Sequence, residues 1–365
     1  MLGGARDRRD WGLRPMADGA PKYHLIQHID GDAGFCAMLT YTLNGIRMAV
    51  RDGAIPVVRY GREATRFFYD SSRGENVWEY YFEPVSTVRY EELQALLDRE
   101  EASPQQVHSF TRRQICDWHH SDPERIATFW AKDVPEEPAG WMEAKRALGR
   151  KYVSEFIRVK PHVTEKVNAY WDSWIRPQST IGVHIRGTDF AYAEPTSPFA
   201  YFSAIDQYLA SRATDPFRIF LATDQSQFVD LFRQRYGERL VAYDCLRSNR
   251  RRPPFKFSSA SPYKRGEDVL IDVLLLSRCD FLFKGAAAAG ECALWFNPSL
   301  RCHDFALESR FDPRPYRQLV SAWRKLDIAQ WSPPLWTLRR WRRELEDLWR
   351  SLCRRLDRFA RHIQR

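Results

Sequence analysis

The residues best equipped for chemistry in this chain cluster in IGVHIRGTDF, Ile181 to Phe190. On an extended strand successive side chains alternate faces, so Ile181, Val183 and Ile185 share one face. His184 and Arg186 share the other, and Thr188 joins them if the strand continues. An arginine at the end of an apolar strand requires an anionic partner, either an internal carboxylate or a ligand. In open parallel sheets ligands bind beyond the carboxyl ends of the strands. Two further features fall at such ends. Thr223 and Asp224 close the strand FLATD, and KGAAAAGE, Lys284 to Glu291, is a small-residue turn entering a helix. The amides of that turn can approach a phosphate closely, and a helix N-terminus favours an anion. An arginine and a helix N-terminus converging on one place make a diphosphate site. Asp272 stands within VLIDVLLLS, where a carboxylate on a nearly all-apolar helix must pair with something. The N–H donors of a nucleobase would serve, and so would Arg278 or a neighbouring strand. Structural alternatives stand beside each reading: a salt bridge for Arg186, a helix cap for Thr223 and Asp224 in competition with Ser226, and close helix packing for the alanines.

The elements that must position these residues follow from periodicity and turn chemistry. Tyr23 to Ile29 reads as a strand, about Gly34 to Asp52 as a helix with Gly53 as its left-handed stop, and Ile55 to Arg59 as the next strand. This is a βαβ unit, the building block of a parallel sheet. Residues 89–173 read as mostly helical, broken by DVPEEPAG, and WIRPQS, Trp174 to Ser179, reads as a linker. The alternation then restarts. Strands are expected at Thr180–Ile185, FRIFLATD, RLVAY and CDFLF, and helices at Phe199–Ser211, SQFVDLFRQRYG (capped by Ser226, stopped by Gly237) and GEDVLIDVLLLSR, with a last helix after KGAAAAG. Two such alternations split by a linker predict two Rossmann-like domains facing a cleft.

Composition narrows the class. The chain has 365 residues, 44% hydrophobic and 14% aromatic, enough for two packed domains. No stretch approaches the roughly 20 apolar residues of a membrane span, and the first twenty residues hold no apolar segment of signal-peptide length. The seven cysteines are scattered without a C-x-x-C pair, which argues against a disulfide framework or zinc site and suits a reducing cytoplasm. The net charge of +9 belongs to the ends: residues 335–365 carry ten arginines against four acidic residues, and the first sixteen carry four against two. A general nucleic-acid role for the body loses its support on that distribution.

Three other stretches invite a function. Asp30-Gly31-Asp32 looks like a D-x-D that holds Mn²⁺, yet it follows the first strand of the first domain, far from the proposed diphosphate site; an acceptor-facing loop is the alternative. VWEYYFEPV, Val77 to Val85, is dense enough in aromatics to be a sugar platform with Glu79 or Glu83, or simply core. In the tail, apolar residues at 338, 341, 345, 348, 352, 356, 359 and 363 form one helical face with arginines opposite. Such a basic amphipathic helix suits an anionic membrane surface or self-association.

As a set, IGVHIRGTDF, FLATD and GEDVLIDVLLLSRCDFLF resemble, in order, the three motifs of the fucosyltransferase superfamily that includes the α1,6-fucosyltransferases of the rhizobial nodulation and N-glycan core types. The resemblance covers roughly Thr180 to Trp295. It implies a GT-B-like α/β fold: a basic arm (1–20), an acceptor domain (21–175), a donor domain (176–310), a return segment (311–335) and the basic amphipathic helix (336–365). It implies an inverting glycosyltransferase without a required metal or cofactor, moving fucose from GDP-fucose to a glycan or glycolipid. The cysteine pattern and the basic tail add the expectation of a cytoplasmic protein, peripheral at the inner face of the membrane if the tail binds lipid. Carried over residue by residue, Arg186 takes the place of the arginine that holds the β-phosphate, His184 that of the histidine against the nucleotide, and Asp272 that of the acid that reads guanine. Glu194 takes that of the proposed general base. The chain also departs from the family. Gly187 stands for a second arginine, Gln225 for the second aspartate of A-T-D-D, and Ala287 and Ala288 for a serine pair. The hydroxyl contacts to the diphosphate would then fall to backbone amides or to Lys284. These departures leave open another nucleotide sugar, or a silent nucleotide or glycan binder.

Overall fold

The computed structural model describes residues 20–29, 33–114, 122–128, 138–176, 178–188, 196–211, 216–250 and 252–308. The D-x-D at Asp30–Asp32, Glu194 and the tail 336–365 lie outside the described residues. The strands are β1 (Tyr23–Ile26), β2 (Ile55–Val58), β3 (Val107–His108), β4 (Ser179–Ile185), β5 (Phe217–Thr223), β6 (Leu240–Val241), β7 (Phe281–Lys284) and β8 (Arg301–Asp304). The helices are α1 (Phe35–Arg51), α2 (Tyr90–Asp98), α3 (Pro138–Phe156), α4 (Pro161–Trp174), α5 (Pro198–Ala210), α6 (Ser226–Tyr236), α7 (Pro254–Phe257), α8 (Pro262–Ser277), α9 (Ala288–Phe296) and α10 (Phe305–Glu308).

These strands form two parallel sheets, as the alternation predicts. One has three strands in the order β2-β1-β3, the other five in the order β6-β5-β4-β7-β8. The larger sheet runs outward from β4 through β5 and β6, then restarts on the other side with β7 and β8. That places its topological switch point between β4 and β7, where His184 pairs with Lys284. Crevices open at such points because the two neighbouring connections leave in opposite directions.

Local chemistry accounts for most boundaries. The α1 helix ends at Arg51 and Gly53 follows at φ +63°; Gly237 ends α6 at φ +56°. Ser261 caps α8 by accepting from the Lys264 amide at 3.2 Å, with Pro262 in the first turn. Ser226 is not a cap: it is the first helical residue of α6, and Gln225 takes the cap position without a side-chain hydrogen bond.

The apolar faces of β4 separate as expected. Ile181, Val183 and Ile185 pack with Tyr201, Phe202 and Phe232 beneath α5 and α6. On the opposite face, a Cβ at Gly182 would sit 3.1 Å from Cys279 Sγ at the end of α8. The aromatic run 77–85 is core: Val77, Trp78, Tyr81 and Phe82 are fully buried. The five described cysteines are free thiols, and no described helix is long and apolar enough to cross a membrane.

Candidate functional site

The site is built on the carboxyl edge of the five-stranded sheet. Arg186 leaves β4 one residue past its last ladder pair, Ile185 with Thr223. Its Nε lies 4.0 Å from Asp224 Oδ2, and its side chain remains one-third exposed. The exposed part of the guanidinium lies at the carboxyl edge of the sheet, where an anion arriving from solvent can meet it. Asp224 has a different principal task. Its Oδ1 accepts from the Gly187 amide at 2.8 Å and its Oδ2 from Thr188 Oγ1 at 2.6 Å. One carboxylate thereby fixes the turn that carries Arg186. Thr223, buried behind it, accepts from the Gln225 amide at 3.3 Å. Asp224 therefore positions the arginine, and neither residue is the cap of α6.

His184 lies one turn of the pleat below Arg186 and is buried. Burial, followed by the nearby charges of Lys284 and Arg186, drives its imidazole down to about 3, so it is neutral at physiological pH. Its Nδ1 has no hydrogen-bond partner among the described residues. A neutral ring can exchange hydrogen bonds with a ligand but contributes no positive charge.

Beside Arg186, past β7, lies the N-terminus of α9. Ala287 is its cap residue and offers no side-chain hydrogen bond, so the first amides, at Ala288 and beyond, lack the capping that a serine would supply. Gly285 packs closely here, since a Cβ there would come within 3.2 Å of both Thr196 Oγ1 and Tyr201 Oη, and both would have to shift slightly. Tyr201 in turn donates to the His184 carbonyl at 2.9 Å, which ties the two sides of the switch point together.

Lys284 does not face this opening. It is wholly buried, and its Nζ pairs with Glu291 Oε1 at 2.7 Å and Asp304 Oδ2 at 2.8 Å. Arg146 of α3 completes the set, donating to Glu291 through Nε at 2.9 Å and Nη2 at 2.7 Å, and to Asp304. Two cations and two carboxylates thus neutralise one another inside the fold. The lysine is spent there, which corrects the expectation that it reaches a diphosphate.

Asp272 sits on α8, which packs on β4 and β5, and lies under the loop that leaves β6. Its Oδ2 is 3.4 Å from Cys245 Sγ. Its Oδ1 is shielded from solvent and has no partner among the described residues. Burial pushes the carboxyl up to about 7, against the opposing pull of Arg247 and the Cys245 hydrogen bond. The alternative pairing with Arg278 does not occur: Arg278 Nη2 donates to Asn168 Oδ1 at 2.5 Å.

The loop itself is stapled to the Arg186 turn. The Ser248 amide donates to the Asp224 carbonyl at 2.9 Å, and Gln225 Nε2 donates to the Arg250 carbonyl at 3.2 Å. Gln225 also explains Gly187. A Cβ at 187 would lie 2.6 Å from Phe228 Cε2 and closer still to Gln225 Oε1. The two departures at 187 and 225 are therefore one: the buried glutamine occupies the space a side chain at 187 would need.

No protein-family model matches this sequence, and no curated protein matches it. Among solved structures the chain is similar to NodZ α-1,6-fucosyltransferase co-crystallised with GDP, at 18% identity over 77% of this chain and 94% of that one, with a TM-score of 0.49. It is similar to a mutant of FUT1 from Arabidopsis thaliana in complex with GDP, at 10% identity over 79% and 71%, TM-score 0.47. It is similar to POFUT1 in complex with GDP, at 11% identity over 78% and 99%, TM-score 0.45.

Proposed function

We propose that this chain is an inverting glycosyltransferase that uses a nucleoside diphosphate sugar, GDP-fucose being the donor its motifs fit. The reading is carried by one arrangement: Arg186 and the uncapped N-terminus of α9 flank the switch point of a parallel sheet. The ordered resemblance of the three segments to fucosyltransferase motifs supports it. In this reading the diphosphate lies between Arg186 and the first amides of α9. Charge grows on it as the glycosidic bond breaks, and a fixed guanidinium with aligned amides stabilises that charge without a metal. Asp224 holds the Arg186 turn against thermal drift, and His184, neutral, contacts the donor. An acceptor hydroxyl attacks the face opposite the leaving group, inverting the anomeric centre, while a carboxylate removes its proton; Glu194 is assigned that role by resemblance alone. Peripheral membrane contact through 336–365 belongs to the proposal, and deletion of that tail should then abolish liposome binding while sparing transfer to a soluble acceptor.

The test is release of GDP from GDP-fucose, with UDP- and ADP-sugars as controls. Wild type should release GDP, and Arg186→Lys, which loses the planar fork but keeps the charge, should lose most of that rate. Tight GDP binding with no turnover of any donor, with or without added glycans, would favour a silent nucleotide binder instead.

A further inference from the structure

Beneath the loop after β6 lie two buried polar atoms of opposite hydrogen-bonding character. Asp272 Oδ1 is an acceptor and Arg247 Nε–H a donor, and neither has a partner among the described residues. A buried donor or acceptor left without a partner is destabilising, so a ligand edge that satisfies both at once is favoured there. The geometry holds them in one place. Cys245, two residues before Arg247, hydrogen-bonds to the other oxygen of Asp272. Arg247 Nη2 donates to the Tyr243 carbonyl at 2.6 Å, which fixes its guanidinium against its own loop. The Tyr170 and Tyr243 rings meet edge to face at 5.0 Å beside them. One residue further on, the Ser248 amide ties the loop to Asp224 and hence to the Arg186 turn.

We infer that Arg247 is a base-reading residue, its Nε–H donating to a ring carbonyl of the nucleobase whose adjacent N–H is accepted by Asp272 Oδ1. This rests on the nucleotide-sugar reading above. A keto purine presents that pair on one edge, as a carbonyl next to a ring N–H. The tether through Ser248 gives the loop a second consequence, because whatever orders Arg247 also orders the turn carrying Arg186.

The test compares GDP with 6-thio-GDP, which keeps both N–H donors and replaces the ring carbonyl with a weakly accepting sulfur. Binding is measured calorimetrically below pH 7.5 for wild type and Arg247→Met. Wild type should bind 6-thio-GDP roughly tenfold more weakly than GDP, and Arg247→Met should bind the two equally, its GDP affinity reduced about ten- to hundredfold. A variant that retains the wild-type preference, or that loses both ligands in equal proportion, would overturn the role of Arg247 while leaving nucleotide binding in place. A wild type that binds no nucleoside diphosphate would overturn it together with the reading it rests on.

Discussion

Under the proposed function, Asp272 couples nucleotide recognition to pH. Its carboxyl is held at about 7 mainly by burial, with Arg247, Cys245, Asp268, Tyr170 and Tyr243 around it. Between the ordinary carboxylate range and 7 the folded chain keeps a proton that the unfolded chain has released. The stability contribution of Asp272 therefore declines as pH rises across that window. A base N–H needs the ionised form, so GDP affinity should rise with pH up to about 7, by about tenfold per unit well below it, and then level off. Titration calorimetry from pH 5.5 to 8.5 checks this, and Asp272→Asn should flatten the profile. Gly187→Ala should destabilise the protein by about 1–3 kcal/mol, and by less in a Gln225→Ala background where the space is open, as denaturant melts of the four proteins would show. His184, Arg186 and Asp272 were legible in the sequence because a charged or polar side chain stood in an apolar run. Arg247 was not, because it lies in a loop without periodicity and its relation to Asp272 is tertiary. The inward turn of Lys284 was hidden for the same reason, since its partners lie on other elements.

The charged cluster that absorbs Lys284 joins four elements, α3, β7, α9 and β8, and so sets where the N-terminus of α9 points. Burial alone would raise the Glu291 carboxyl, but Lys284 and Arg146 overcome it and hold the group at about 2. Its contribution to stability is therefore complete above the ordinary glutamate range and is lost as pH falls through about 4.5 toward 2. Glu291→Gln leaves two buried cations facing one carboxylate and should cost about 3–5 kcal/mol; acid unfolding of the variant should lack that part of the pH dependence. The same helix meets α3 at Gly149, where a Cβ would lie 2.6 Å from the Trp295 ring, so that α3 and α9 touch almost backbone to ring. The long elements of both sheets could be read from periodicity and caps. β3, two residues long, and β8, with the sequence RCHD, could not, because neither carries an alternating apolar pattern.

At the scale of the molecule, the sequence suggests two domains split at a linker, whereas the core runs through both sheets. Phe35, Trp78 and Tyr81 from the first half belong to one buried cluster with Leu270, Cys292 and Trp295 from the second. Tyr81 donates to the Tyr263 carbonyl at 2.8 Å and stacks on its ring at 5.4 Å. Gly266 admits the tyrosine, since a Cβ there would lie 2.7 Å from its Cζ. Sharing of this extent predicts one cooperative unfolding transition, with near- and far-ultraviolet circular dichroism melting together; two resolved transitions would contradict it. The join was illegible because the aromatic run 77–85 shows its burial in composition but not which half it packs against. Under the proposed function Arg186, at the switch point, meets the diphosphate of a guanine nucleotide, and thermal unfolding with GDP, UDP, ADP and CMP, in wild type and in Arg186→Ala, tests this most directly. At a hundred times its dissociation constant a ligand adds about 2.7 kcal/mol to the native state. A rise in melting temperature with GDP alone, absent in the variant, is the predicted result; no rise with any nucleotide would return Arg186 to a salt bridge with Asp224.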